Sequence, residues 1–315
     1  MTTTDITPPE DGFGLTTAST DQYGVSRDRL LLWQTEGYVT PDATSAADIL
    51  EKAHLDWGVK LLPLTVPSPD GLTTVTDPKR KVIVRDDTNQ PLGVAKSRYV
   101  PASNADVLSF LDTLFDSGQA LYEAAWEWHG GESVGIAMRI PDEVTIAGVD
   151  KYGLYVLART SNNGGGSVIA AATPVRLACT NMVTIALRAA HRTFRAVHTS
   201  SLAGRIAEAR SALDLVFNYS SAWDEAAKAL LDEPCGDVKV SLTAKALFGE
   251  KHEEKAVEFW KNLDNIADYR NTKYGAYNAL TEYAQWVRPR NPHLDSAVRG
   301  TIAHQTDQAY QLLAA

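Results

Sequence analysis

Apolar positions along this chain change their period near residue 180. Before that point they sit in short runs that flank turn-forming clusters. The stretch KRKVIVRDDTNQPLGVAKSRYVPAS reads as strand, turn at Asp86–Gln90, then strand, because β-branched and apolar residues surround a polar Asp/Asn group. ALYEAAWEWHGGESVGIAMRIP repeats the pattern with His129-Gly130-Gly131-Glu132 as its turn. DKYGLYVLARTSNNGGGSVIAAATPVRLA gives a third hairpin with a glycine-rich tip, and VKLLPLTV adds a further strand. Two helices are expected among them. SAADILEKAHLDW opens on a capping serine, and SNADVLSFLDTLFDSG places Val107, Phe110, Leu111 and Leu114 at i, i+3, i+4 and i+7, with Gly118 as its stop.

From about Asn181 the apolar residues recur with the helical period of about 3.6 almost to the C-terminus. Breaks fall at Cys-Gly-Asp (235–237) and at RPRNP (288–292). Helices are therefore expected near 181–199, 201–232, 241–286 (interrupted around Lys251 and over 269–275) and 293–314. Residues 1–25, rich in Thr, Asp, Pro and Gly, offer too little apolar surface to order themselves and predict a mobile arm. The expected class is α+β: a hairpin-rich antiparallel unit over 26–180, then a helical region over 181–315.

Composition narrows the field. With 44% hydrophobic and 22% charged residues in 315, the chain is of ordinary globular type. No window approaches eighteen consecutive apolar residues, and MTTTDITPPEDG has neither a basic nor an apolar leader region, so neither a membrane span nor secretion is expected. The two cysteines, Cys179 and Cys235, lack any C-x-x-C spacing, which suits a reduced, cytoplasmic setting and predicts no structural zinc. His252-Glu253-Glu254 lacks the second histidine of a zinc helix, and no nucleophile elbow occurs; no metal, cofactor or catalytic residue is assigned.

Thirty basic against 39 acidic residues leave a net charge of −9, so any surface for a polyanion must be local. One segment stands out on that ground. Residues 174–210 hold six arginines and a single acid, Glu208, a balance of +5 against −14 elsewhere. On a helical wheel Val183, Ala186, Leu187, Ala190, Phe194 and Val197 share one face, and Arg188, Arg192 and Arg195 the opposite one. Guanidinium groups so arrayed suit phosphate oxygens and stacked bases; the alternative is a solvated face paired with acids elsewhere. The loop Ser161–Ser167, with Gly164, Gly165, Gly166 and Ser167 at its end, can present N–H groups to a phosphate but lacks the Lys-Ser/Thr ending of an NTP loop, and it reads as a flexible tip. Trp126 and Trp128 share a strand face, as a packed pair or as a platform for bases.

Four segments together resemble one family: LGVAKSRYVPASNADVLSFLDTLFDSG, TSNNGGGSVIAAATPVRLACTNMVTIALR, VHTSSLAGRIAEAR and YRNTKYGAYNALTEYAQWVRPR. They are similar, in order, to the DUF932 proteins of phages and plasmids. The resemblance implies an intracellular life in a bacterial host, and a remote likeness to the Rad52-type single-strand annealing proteins is a lead. The family's loop carries an Asp-Gly-Ser run, whereas here the acid is lost; Arg176, Asn181 and His198 match the family pattern and are carried over as candidate contacts. Together with the arginine stripe and the glycine loop, this makes a non-enzymatic single-stranded nucleic-acid-binding protein, homo-oligomeric and possessing a recombination role, the leading expectation. An acidic factor binding a host or phage protein, and a phosphate- or nucleotide-processing enzyme, remain open as alternatives.

Overall fold

The computed structural model describes residues 37–96, 98–176, 181–182, 194–196, 198, 216–288 and 301–315. The arm expected over 1–25, as well as Cys179, Arg188 and Arg192, lies outside these residues. The class is α+β, with antiparallel sheets in the N-terminal half followed mainly by helices.

The strands are β1 (Tyr38–Val39), β2 (Val59–Pro67), β3 (Thr74–Arg85), β4 (Pro91–Lys96), β5 (Leu121–Trp128), β6 (Ser133–Ile146), β7 (Asp150–Ser161), β8 (Val168–Arg176), β9 (Asn181–Met182) and β10 (Phe194–Ala196). They form a seven-stranded sheet in the order β1-β5-β6-β7-β8-β10, with β9 also on β8, and a separate three-stranded sheet β2-β3-β4. The three expected hairpins are present, turning between Arg85 and Pro91, between Trp128 and Ser133, and between Ser161 and Val168.

Alternation along the strands divides the large sheet into two faces. Ala125, Ile136, Met138 and Val156 meet Ile49, Leu50, Phe110 and Leu111 in the main core. These last four come from α1 (Ala46–Lys52) and from the helical stretch made of α2 (Asn104–Leu108), a 3-10 turn (Ser109–Leu111) and α3 (Asp112–Asp116). Ser45 and Ser103 cap the two helix starts by accepting from the amides of Asp48 and Asp106. On the opposite face Ala124, Trp126, Ala137, Tyr155, Leu157 and Val175 form a smaller cluster, and Trp126 and Trp128 pack ring to ring with centroids 5.8 Å apart. Gly135, directly across from Trp126, leaves the space its indole fills: a Cβ there would stand 2.3 Å from the ring.

The helical part comprises α4 (Val216–Leu231), α5 (Asp237–Phe248), α6 (Glu250–Asn262), α7 (Lys273–Glu282) and α8 (Thr301–Ala314), with a 3-10 segment at Asp264–Tyr269 and a π-helical turn at Tyr283–Val287. Their core holds Trp223, Phe259, Trp260, Tyr274, Tyr277 and Leu280, and three residues from the sheet side, Ile146, Ala147 and Tyr152, belong to it. The interruption expected near Lys251 falls at Gly249, whose φ of +80° ends α5 and starts α6.

Two expectations after residue 180 are corrected. The helix expected over 181–199 does not run through it: Asn181–Met182 and Phe194–Ala196 are strands, paired with Val175–Arg176 and Val168–Ala170. The unpaired backbone groups along the free edge of β8 draw the returning chain into the sheet, and that long-range pairing outweighs local period. Because Arg195 stands in a strand opposite Ile169, one helical face does not hold Arg188, Arg192 and Arg195 in a stripe.

Candidate nucleic-acid interface and a buried polar junction

The candidate residues from the sequence separate to the two ends of β8. At its start lie the glycine loop, Arg195 and His198; at its end lie Arg176 and Asn181, directly paired with each other across the β8–β9 ladder. The side-chain settings of Asn181 and Arg195 fall outside the described residues.

At the loop end the tip is held rather than free, unlike the flexible tip expected. Ser161, Asn162 and Ser167 are buried, and only Gly164 and Gly165 are exposed. The Asn162 amide donates to Asn104 Oδ1 (3.0 Å) and to the Gly131 carbonyl (3.2 Å), while Asn104 in turn donates to the carbonyls of Leu55 (3.0 Å) and Trp57 (2.9 Å). Asn163 donates to Glu132 and accepts from the Gly165 amide, both through its side chain. One shelf therefore ties the loop to the β5–β6 turn and to α2. Arg159 donates to Ser133 Oγ at 2.7 Å beneath it.

The loop also rests on the small sheet. A Cβ on Gly93 would stand 2.1 Å from the Asn163 carbonyl oxygen, and one on Gly164, where φ is +79°, would stand 2.7 Å from the Val94 carbonyl. Both obstacles are backbone, so neither yields by a side-chain rotation. Gly93→Ala is expected to lower stability by about 1–3 kcal/mol in urea denaturation through this forced separation. Gly165→Ala, whose new Cβ meets nothing nearer than 3.6 Å, is expected to stay within about 0.5 kcal/mol. Equal losses for the two variants would show that the loop does not press on β4.

His198 is almost fully buried against this shelf. Its Nε2 lies 2.9 Å from Thr160 Oγ1, its ring stacks on Tyr99 at 5.2 Å, and its carbonyl accepts from the Val100 amide. Among the described residues Nδ1 meets no hydrogen-bond partner. Burial lowers the ring's pKa to about 4, keeping it neutral, and raises the Tyr99 phenol to about 12. His198 is thus a packed, uncharged group and offers no cation to a phosphate.

What the loop end does offer is cationic and lies on β3 and just past β4. Lys81 pairs with Ala95, two residues from the Ile83–Gly93 pair, so it shares the face of the small sheet on which the glycine loop rests; Lys79 lies two residues before it, where the β2–β3 register shifts. Both lysines are exposed, as is Arg98 beside Tyr99, and none of the three makes an ion pair among the described residues. Sequence reasoning misses them because KRK reads only as the start of a strand. The signal that finds them is the hairpin register, which places Lys81 one step outward from Gly93.

At the other end of β8, Arg176 is fully buried. Its Nε and Nη2 donate to the two carboxylate oxygens of Asp150, both at 2.9 Å, while Nη1 and Nη2 donate to the side chain and carbonyl of Asn265 at 2.9 and 2.6 Å. Tyr269 closes the ring: it accepts from Nη2 and donates to Asp150 at 2.7 Å. Asn278 donates to the same carboxylate at 3.3 Å, and Asn265 reaches Glu282 at 3.1 Å. Burial raises the Tyr269 phenol well above its ordinary value, so it stays protonated and able to donate. The arginine carried over as an anion contact is therefore a structural tie between β7–β8 and the helical part. Among the described residues no group of three or more His, Cys, Asp or Glu is placed to hold a metal ion, and no helix is long and apolar enough to cross a membrane.

Comparison with curated proteins and with solved structures finds no match. A family model, described as a domain of unknown function (DUF932), matches residues 91–313. That span begins at β4, under the glycine loop, takes in the Asp150–Arg176 junction and ends in the last helix, α8, which makes this chain a member of the DUF932 family.

Proposed function

We propose that this protein binds single-stranded nucleic acid, without chemical turnover, in the corner between the Gly164–Gly166 loop and the inner face of the small sheet. The observation that carries this reading is Lys81, exposed on the face of the small sheet that meets the glycine loop, with the exposed cations Lys79 and Arg98 near it in sequence and strand pairing, in a chain of net charge −9. Backbone N–H groups and cations together suit phosphate oxygens. The overall negative charge repels a strand from the rest of the molecule and so narrows its approach to this corner. The wider role suited to such a surface is strand pairing in recombination on a phage or plasmid genome.

The test is fluorescence anisotropy of a labelled single-stranded oligonucleotide over a salt series, with wild type and the triple variant Lys79→Gln/Lys81→Gln/Arg98→Gln. Removing one cation from a phosphate flattens the log–log salt slope by about 0.7, so the variant's slope should be smaller by about 2. Equal affinity and slope for both proteins, or wild-type protein that ignores the oligonucleotide at low salt, would remove this function.

A further inference from the structure

The small sheet has a second face, turned away from the glycine loop. Leu62, Val82 and Val94 are direct cross-strand neighbours on it, with Leu62 41% and Val94 47% exposed. Arg80 stands directly opposite Lys96 on the same face, and both are exposed. Like charges placed opposite one another across a ladder repel. Asp77, at 3.9 Å from Arg80, is the only acid that bridges to either of them among the described residues. An apolar strip ending in two cations that share a single acid is a surface that an acidic, apolar counterpart would complement.

Such a counterpart exists elsewhere on the chain. Between α5 and α6, which meet at Gly249, runs an open groove of about 510 Å³. Val238, Leu242 and Val257 give it an apolar lining, and Asp237, Glu250 and Glu254 line it as acids. Val238 is 75% and Leu242 61% exposed, one helical turn apart, so α5 presents a stripe that none of the described residues covers. Lys245 and Lys261 bridge to two of these acids, and Glu254 has no such partner among the described residues.

We propose that these two surfaces are the halves of one contact, in which the outer face of the β2–β4 sheet of one copy docks in the α5–α6 groove of a second copy. Apolar residues meet apolar residues at the centre, and Arg80 and Lys96 meet Glu250 and Glu254. The two patches differ from each other, so the contact is head-to-tail, and repetition yields a closed ring or an open filament. The proposal uses the face opposite to Lys81 and does not rest on nucleic-acid binding.

The experiment uses full-length protein freed of nucleic acid, with mass measured by light scattering across a concentration series. Two variants divide the contact: Arg80→Glu/Lys96→Glu spoils the sheet face, and Val238→Glu/Leu242→Glu spoils the groove. Wild type is expected to give masses of two or more 34.2 kDa chains as concentration rises, and each variant alone to stay at one. An equimolar mixture of the variants is expected to stop at two, because one intact face and one intact groove remain while the altered pair repels. All four substituted positions are exposed. Retention of the fold is checked by circular dichroism, and Leu242→Ser serves where the double groove variant unfolds. A monomeric wild type at every concentration, a folded variant that assembles as wild type does, or a mixture that forms no heterodimer would each overturn the proposal.

Discussion

Arg176→Ala is expected to lower the free energy of unfolding by about 3–5 kcal/mol, the cost of leaving a buried carboxylate without its counter-charge. Asp150 is only 5% exposed, and the substitution removes both of the guanidinium's bonds to it. Tyr269 and Asn278 still donate to one carboxylate oxygen, which tempers the loss without replacing the charge. Asn265 loses two bonds at the same time, and with them the 3-10 segment loses its tie to β8. Urea denaturation of Arg176→Ala, Asp150→Ala and the double variant measures this. The double variant is expected to lose less than the two single losses added together, since neither charge is then left alone. A loss below about 1 kcal/mol for Arg176→Ala would show that the junction contributes little to holding sheet and helices together.

Stability should also fall steeply in mild acid, through His198. Its folded-state pKa is about 4 against an ordinary 6.5, because burial disfavours the charged ring. Above pH 6.5 the ring is neutral in both folded and unfolded chains and contributes no pH dependence. As pH falls from 6.5 towards 4 the unfolded chain takes up a proton that the folded chain refuses, so stability drops, and below 4 the loss is complete. A shift of that size corresponds to about 3 kcal/mol. Carboxylates titrate in the same range, so the informative quantity is the difference between wild type and His198→Gln in urea titrations at several pH values. Wild type should lose more stability than the variant on acidification. Parallel profiles would mean that His198 is protonated as readily in the fold as out of it.

The hairpins were legible because each is local: a turn cluster with apolar runs on both sides sets strand, turn and register together. Counting equal steps outward from Gly164 brings Tyr152 opposite Arg176, with Asp150 next along, so the ion pair at the junction could have been read from the loop alone. The burial of Arg176 could not, since it depends on Asn265 and Tyr269, which stand 89 and 93 residues away. A lone arginine in a strand reads as an exposed cation until its cover is known. The same holds for the loop: its glycines read as freedom, whereas Gly93 and Gly164 serve close approach between two sheets not joined in sequence at that point. The arginine pattern misled for another reason. A short segment can satisfy the helical period and still be drawn to a sheet edge, and Phe194–Ala196 went to β8.

The long β6–β7 hairpin belongs to both cores of the fold. Its inner half lines the core beneath α1 and α2, while Ile146, Ala147 and Tyr152 at its far end pack with Trp223 and Tyr274, and Val144 touches both groups. The Tyr152 and Tyr274 hydroxyls share a hydrogen bond at 3.1 Å across that seam. A cut at residue 180 would therefore not release two self-sufficient fragments. The N-terminal piece would keep an apolar hairpin end with no roof, and the C-terminal piece a helical layer missing part of its floor. Cooperativity in this protein follows the hairpin rather than the change of sequence period, and the two halves are bound to melt as one.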